Sequence, residues 1–174
     1  MRDDFRKDMW IVLTAAVLGA LFGAIHNSLD VRISPEFYRV IKHAPASVSP
    51  ELWAVYIGAT RGFIFGLLLG AGFCFASDSG DAPTLGYRQM APWMALPILF
   101  STVCSVVYAT LPLPPITSKL TQHLSEKVRQ VERMHTGVYV GGILGTAIAI
   151  RGIRRKRMGM QSEIDFPERQ KSGQ

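Results

Sequence analysis

Four long stretches without charge constrain this chain more than any other feature. Lys, Arg, Asp and Glu avoid Trp10–Leu29, Trp53–Ala76, Trp93–Leu111 and Thr136–Ile150, and Arg61 is the one exception. Each stretch approaches the ~20 apolar residues needed to cross a ~30 Å hydrocarbon core. One such run fits inside a soluble protein, but four of them in 174 residues do not share one small soluble core. Charged residues are 18% of the chain, below the roughly 25% of soluble domains, so little polar surface is left to cover those runs. The expectation is an all-α fold, a four-helix transmembrane bundle forming a single integral domain over 1–174. Its spans lie at about 10–29, 53–76, 93–111 and 136–153, followed by a basic tail over 154–174.

The first run is not built like a cleaved leader. Asp3, Asp4 and Asp8 dilute its basic start, and its apolar part runs on to Leu29 with no small-x-small site, so we read a retained helix. Arg151, Arg154, Arg155, Lys156 and Arg157 crowd the exit of the fourth run and assign it to the cytoplasm. With four spans the N-terminus follows, in agreement with Arg2, Arg6 and Lys7. The two outer loops also carry Lys and Arg, so the orientation rests on the C-terminal cluster. The net charge of +6 is explained by these membrane-flanking residues, which meet anionic head groups. No groove-reading helix or aromatic platform accompanies them, and nucleic acid is excluded as a partner. The expected partners are the lipid bilayer and, at most, further copies or other membrane proteins.

The outer loops carry their own order. Ser34-Pro35-Glu36 and Ser49-Pro50-Glu51 each read as a helix start, with Ser as N-cap, Pro at the first helical position and Glu at the positive end of the dipole. The first opens a short helix over 35–42 whose Phe37, Tyr38 and Ile41 enter the interface or cover the bundle. The second opens span two. Ile116, Leu120, Leu124, Val128 and Val131 make one stripe at helical spacing, predicting an amphipathic helix over 117–134 that runs into span four. Together with the short helix it would form a small helical cap on the outer (periplasmic) side. Residues 78–83 read as a plain polar turn.

Within the spans, Gly58, Gly62, Gly66 and Gly70 recur every four residues, as do Gly137, Gly141 and Gly145, and Gly19 with Gly23. Small residues at this spacing make a flat groove for another helix, in the manner of a glycine zipper. The groove serves either packing inside the bundle or a face for dimerisation or a pore. Span three differs, with Pro97 inside it and a hydroxyl flank of Ser101, Thr102 and Ser105. Such a flank lines a wet path or, more commonly, bonds to carbonyls of its own helix.

Arg61 is the residue that packing alone explains worst. Eight residues past Trp53 it lies roughly 12 Å along the helix, where a charge costs about 2.5 kcal/mol or more on insertion scales. It either snorkels outward or meets a partner, and Asp30 and Glu36 are the carboxylates at its level. His26 precedes Asp30 by four residues on one helix face, and His135 opens span four at the same end. His26, Asp30, Glu36, Arg61 and His135 are therefore expected to gather at the outer end of the bundle. Such a set locks helix ends, relays protons or binds a metal. No dense ligand motif favours the metal, so no metal, cofactor or catalytic residue is assigned. Cys74 and Cys104 lie at different depths and are read as unpaired packing residues.

The segment Ile25-His26-Asn27-Ser28-Leu29-Asp30, with Ile33-Ser34-Pro35-Glu36-Phe37-Tyr38, resembles the opening of a family of uncharacterised bacterial four-span membrane proteins. Met134-His135-Thr136-Gly137-Val138-Tyr139 resembles the start of that family's last span. An acid often follows the first histidine there, and Asn27 in its place weakens a metal-ligand role. The resemblance touches spans one, two and four, implies a bacterial inner membrane and brings no activity with it. Two functions stay open: a non-catalytic subunit, scaffold or assembly protein acting through glycine faces and cap, and a small transporter-like or enzymatic protein using the polar cluster.

Overall fold

The computed structural model describes residues 2–80, 82–111 and 125–172, with side chains over 5–80, 82–111 and 125–162. It is a bundle of four helices, α1 (Arg2–Ile33), α2 (Pro50–Asp78), α3 (Tyr87–Thr110) and α4 (Glu126–Ser172), with a short π-helical turn at Phe37–Ile41. No strand occurs among the described residues. All four helices are long and apolar enough to cross a bilayer. Their outward faces carry Val17, Leu21, Ile25, Leu68, Phe75 and Ile143, each more than half exposed, as expected where lipid replaces water.

The elements extend the sequence expectations at both ends. Ser49 caps α2, its Oγ accepting from Leu52 N at 3.2 Å, with Pro50 in the first turn. Ser34 Oγ likewise accepts from Phe37 N at 3.2 Å and starts the short helix that follows α1. That helix widens to π geometry, with Lys42 N donating to Phe37 O at 3.1 Å. Helix α4 runs unbroken from Glu126 to Ser172, so span four, the region after it and the described part of the amphipathic stretch form one rod. The earlier part of that stretch, with Ile116, Leu120 and Leu124, lies outside the described residues.

The bundle is two hairpins. Helix α1 packs along α2 and α3 along α4, while contacts between the pairs are sparse. Glycine makes both close approaches. A methyl on Gly19 or Gly23 would overlap the carbonyls of Gly62 and Gly58, and one on Gly66 would overlap Ala15 O. In the second hairpin a methyl on Gly137 or Gly141 would strike Cys104 O or Phe100 O, and one on Gly145 would lie 2.7 Å from Leu96 O. Gly70 faces Val12, where a methyl would approach Cα to 2.6 Å. All seven glycines of the α2 and α4 repeats thus serve packing within the hairpins.

Two apolar clusters close the ends. Ile11, Phe73, Leu85, Met90 and Ile153 pack at the end where α1 begins and α4 continues past the bundle. At the opposite end Phe37 and Tyr38 fold over Val31, Ala54, Val128 and Val131, so the short helix covers the apolar stripe of α4 as the cap expectation required. Trp53 Nε1 donates to Lys42 O at 3.0 Å and ties the cap to α2.

Candidate functional site

The helical register of α1 puts His26 and Asp30 one turn apart on the face turned toward the second hairpin. Asp30 is fully buried, and its Oδ2 lies 2.8 Å from His26 Nδ1 and 3.2 Å from His135 Nε2 of α4. His26 Nε2 stands 3.1 Å from Ser105 Oγ of α3. With the Nδ1 proton on the side of the carboxylate, His26 Nε2 accepts the Ser105 hydroxyl, so one short polar chain joins α1, α3 and α4. The His26 and His135 rings are 5.6 Å apart, and Phe37 of the cap stacks on His135 at 5.2 Å. The aligned hydrogen bond in this group is that of His26 Nε2 with Ser105 Oγ; Asp30 Oδ1 and Oδ2 and His135 Nε2 are buried without one, the carboxylate standing at ion-pair distance from both rings.

Of the five residues expected at this end, three therefore meet. Glu36 does not join them: it is exposed and its Oε2 accepts from Ser125 Oγ at 3.0 Å. Arg61 forms no ion pair among the described residues, so the expected pairing with Asp30 or Glu36 is corrected. The two histidines already take the inward carboxylate, and Glu36 points to the surface. Arg61 is exposed and close enough to Tyr38 and Lys42 for its charge to act on both. Burial first, and the Arg61 charge second, push the Lys42 amine down to about 8. Burial, reinforced by Asp30, holds the Tyr38 phenol above its usual range, and its buried hydroxyl has no hydrogen-bond partner.

Between the hairpins lies a cavity of about 330 Å³. His26, Asn27, Arg61, His135 and Tyr139 line one part of it, and Ala15, Phe65, Leu69, Phe73 and Met94 another. Its rim includes Ile64, Leu68 and Tyr139, all around or above half exposed, so it opens sideways onto the lipid-facing surface.

Ser105, His26 and Asp30 have the order of a nucleophile, base and orienting acid. Three observations argue against that chemistry. Ser105 is 3% exposed and does not line the cavity. It sits in mid-helix, where backbone N–H groups are committed to the helix and cannot form an oxyanion hole. The carboxylate is shared with a second histidine. A metal is equally unsupported: no group of three or more His, Cys, Asp or Glu among the described residues has a geometry suited to an ion.

Three contributors escaped sequence reasoning. Asn27, noticed only as a departure from a pattern, donates from Nδ2 to Ala54 O at 3.2 Å and pins α1 to α2. Of the span-three hydroxyls, Thr102 bonds to its own helix at Ile98 O, but Ser101 donates across to Val138 O at 2.9 Å and Ser105 reaches His26. Arg157 belongs to the basic cluster by sequence, yet it is 3% exposed and donates to the carbonyls of Ala76, Ser79, Gly80, Ala82 and Pro83. The carbonyls of Ser79, Gly80, Ala82 and Pro83 in this turn therefore gather around a guanidinium, which a plain turn would not do. Comparison with protein-family models, with curated proteins and with solved structures finds no match.

Proposed function

We propose that this chain is a non-catalytic multi-pass membrane protein that works by binding a lipophilic molecule in the crevice between its hairpins. The carrying observation is the cavity of about 330 Å³, apolar for most of its length and polar at one end, opening onto the bilayer face. That volume falls at the low end of the ~300–1,000 Å³ typical of ligand sites. A scaffold acting through glycine faces has less support, because those faces are occupied inside the hairpins. The buried His26–Asp30–His135 group serves as a strut that holds the hairpins apart at the correct spacing.

For location we favour a bacterial inner membrane with both termini in the cytoplasm. Arg151, Arg154, Arg155 and Lys156 remain exposed at the end where α4 continues, and they support that orientation even with Arg157 withdrawn into the fold. Reporter fusions at Gln174 and Ala82 are expected to read as cytoplasmic and one at Ala46 as periplasmic; the reverse pattern would invert the molecule.

The function is tested by filling the crevice. Ile98 lines it and is half-buried, so Ile98→Trp places a ring in the space. Native mass spectrometry of protein released gently from membranes is expected to show a bound lipophile on the wild type and none on Ile98→Trp. Equal spectra for the two would remove the proposal.

A further inference from the structure

We propose that the crevice takes a single-chain amphiphile with an anionic head, with the head group at Arg61 and the chain lying between the hairpins. This rests on the binding role proposed above and names the ligand's chemistry. The first support is an uncompensated charge. Arg61 lies well inside α2, lines the cavity and has no carboxylate within ion-pair distance among the described residues, since Asp30 is held by two histidines and Glu36 by Ser125. Lys42, which feels the Arg61 charge, is itself cationic and adds to the demand for an anion. A guanidinium presents a planar fork of donors that matches carboxylate and phosphate oxygens, and it cannot discharge itself by losing a proton.

The second support is shape. From Arg61 to Phe73, both lining the cavity, α2 rises about 18 Å at 1.5 Å per residue. The lining along that path is apolar, with Phe65, Leu69 and Met94, while His26, Asn27 and Tyr139 cluster near the Arg61 end. The polarity thus runs along one axis, as it does in a fatty acid or an alkyl phosphate. The volume of about 330 Å³ suits one chain. The rim at Ile64 and Leu68 gives lateral entry from the bilayer, with no aqueous path needed.

The experiment compares dodecanoate, dodecyl phosphate, dodecanol and two-chain phosphatidate on the full chain in nanodiscs of zwitterionic lipid, read by native mass spectrometry titration. Both dodecyl anions are expected to bind at least about tenfold more tightly than dodecanol, a difference set by the head group alone. Ile98→Trp should abolish binding of all three dodecyl compounds. Arg61→Gln should bring the anions down to the level of dodecanol, and Arg61→Lys should restore part of the preference. A preference for one of the two anions identifies the head group as carboxylate or phosphate. Equal binding of dodecanol and the anions by the wild type would overturn the anionic head while leaving the crevice as a binding site. Phosphatidate binding as tightly as dodecanoate would overturn the single chain. Failure of every compound to bind would overturn both this assignment and the binding role beneath it. The wild-type comparison needs no variant to fold, so a misfolded Arg61→Gln would not rescue the idea.

Discussion

At the scale of single residues, Asp30 and Arg61, both expected at one end of the bundle, have opposite standing. Asp30 is fully buried between two histidines, whereas Arg61 is exposed on the crevice and unpaired. Removing one partner of a buried set strands the others, so Asp30→Ala is expected to destabilise the protein by roughly 3 kcal/mol. Arg61→Leu strands no carboxylate and should shift stability by no more than about 0.5 kcal/mol. Thermal unfolding of the two variants in one detergent checks the contrast, and equal losses would mean that Arg61 has a structural partner after all. Lys42 gives a pH signature. Its amine is held near 8 against an ordinary 10.5, with Arg61, Asp30 and Glu132 as the charges facing it. Because the folded value is depressed, the folded state bears the cost of a charged Lys42 below about 8, and the unfolded chain holds the extra proton between 8 and 10.5. Stability should therefore rise across that window, by roughly 1–3 kcal/mol relative to Lys42→Met. A wild type that tracks Lys42→Met at every pH would contradict it.

Among the helices, what was legible in the sequence is what depends on local pattern. Ser34 and Ser49 announced their caps because an N-cap needs only its own turn. His26 and Asp30 were placed on one face by their spacing, and the apolar stripe through Val128 and Val131 found its cover in Phe37 and Tyr38. What escaped depends on distant chain segments. Nothing local says that Arg157 will turn inward to five carbonyls contributed by residues more than seventy positions away, or that Asp30 will choose His135 over Arg61. The glycines lie between these cases: their spacing declared a flat face, and only the packing showed which helix fills it. That packing separates otherwise similar positions. A methyl at Gly62 would overlap Gly19 O, whereas Gly72 has open space around it. Gly62→Ala should lower stability by about 2 kcal/mol or more, as overpacking does. Gly72→Ala should be neutral or stabilising by up to about 1 kcal/mol through helix propensity. Equal responses of the two in detergent melts would show that the α1–α2 contact is looser than these positions require.

Across the whole molecule, the hairpins are tied at both ends and open between. At the capped end Asp30 and Ser105 bridge α1 to α4 and α3 through the histidines. At the other end Arg157 of α4 holds the end of α2 and the connection to α3, while Lys7 pairs with Asp78 at 3.1 Å within the first hairpin. The guanidinium lies where the last α2 carbonyls would otherwise lack partners, and its charge complements the negative end of that helix. Arg157 thereby ties α4 of the second hairpin to the end of α2 in the first. Lysine cannot take its place, because an ammonium is a point donor and the carbonyls are arranged around a planar fork. Arg157→Lys is expected to cost on the order of 3 kcal/mol, as charge-assisted hydrogen bonds to buried carbonyls are lost. The neighbouring Arg155→Lys, on an exposed side chain, should cost nothing measurable. The same lesion should raise hydrogen exchange at Ser79, Gly80 and Leu85, while amides in the middle of α2 keep their protection. If Arg157→Lys left both stability and exchange unchanged, the connection between the hairpins would be holding itself, and the guanidinium would be a passenger on it.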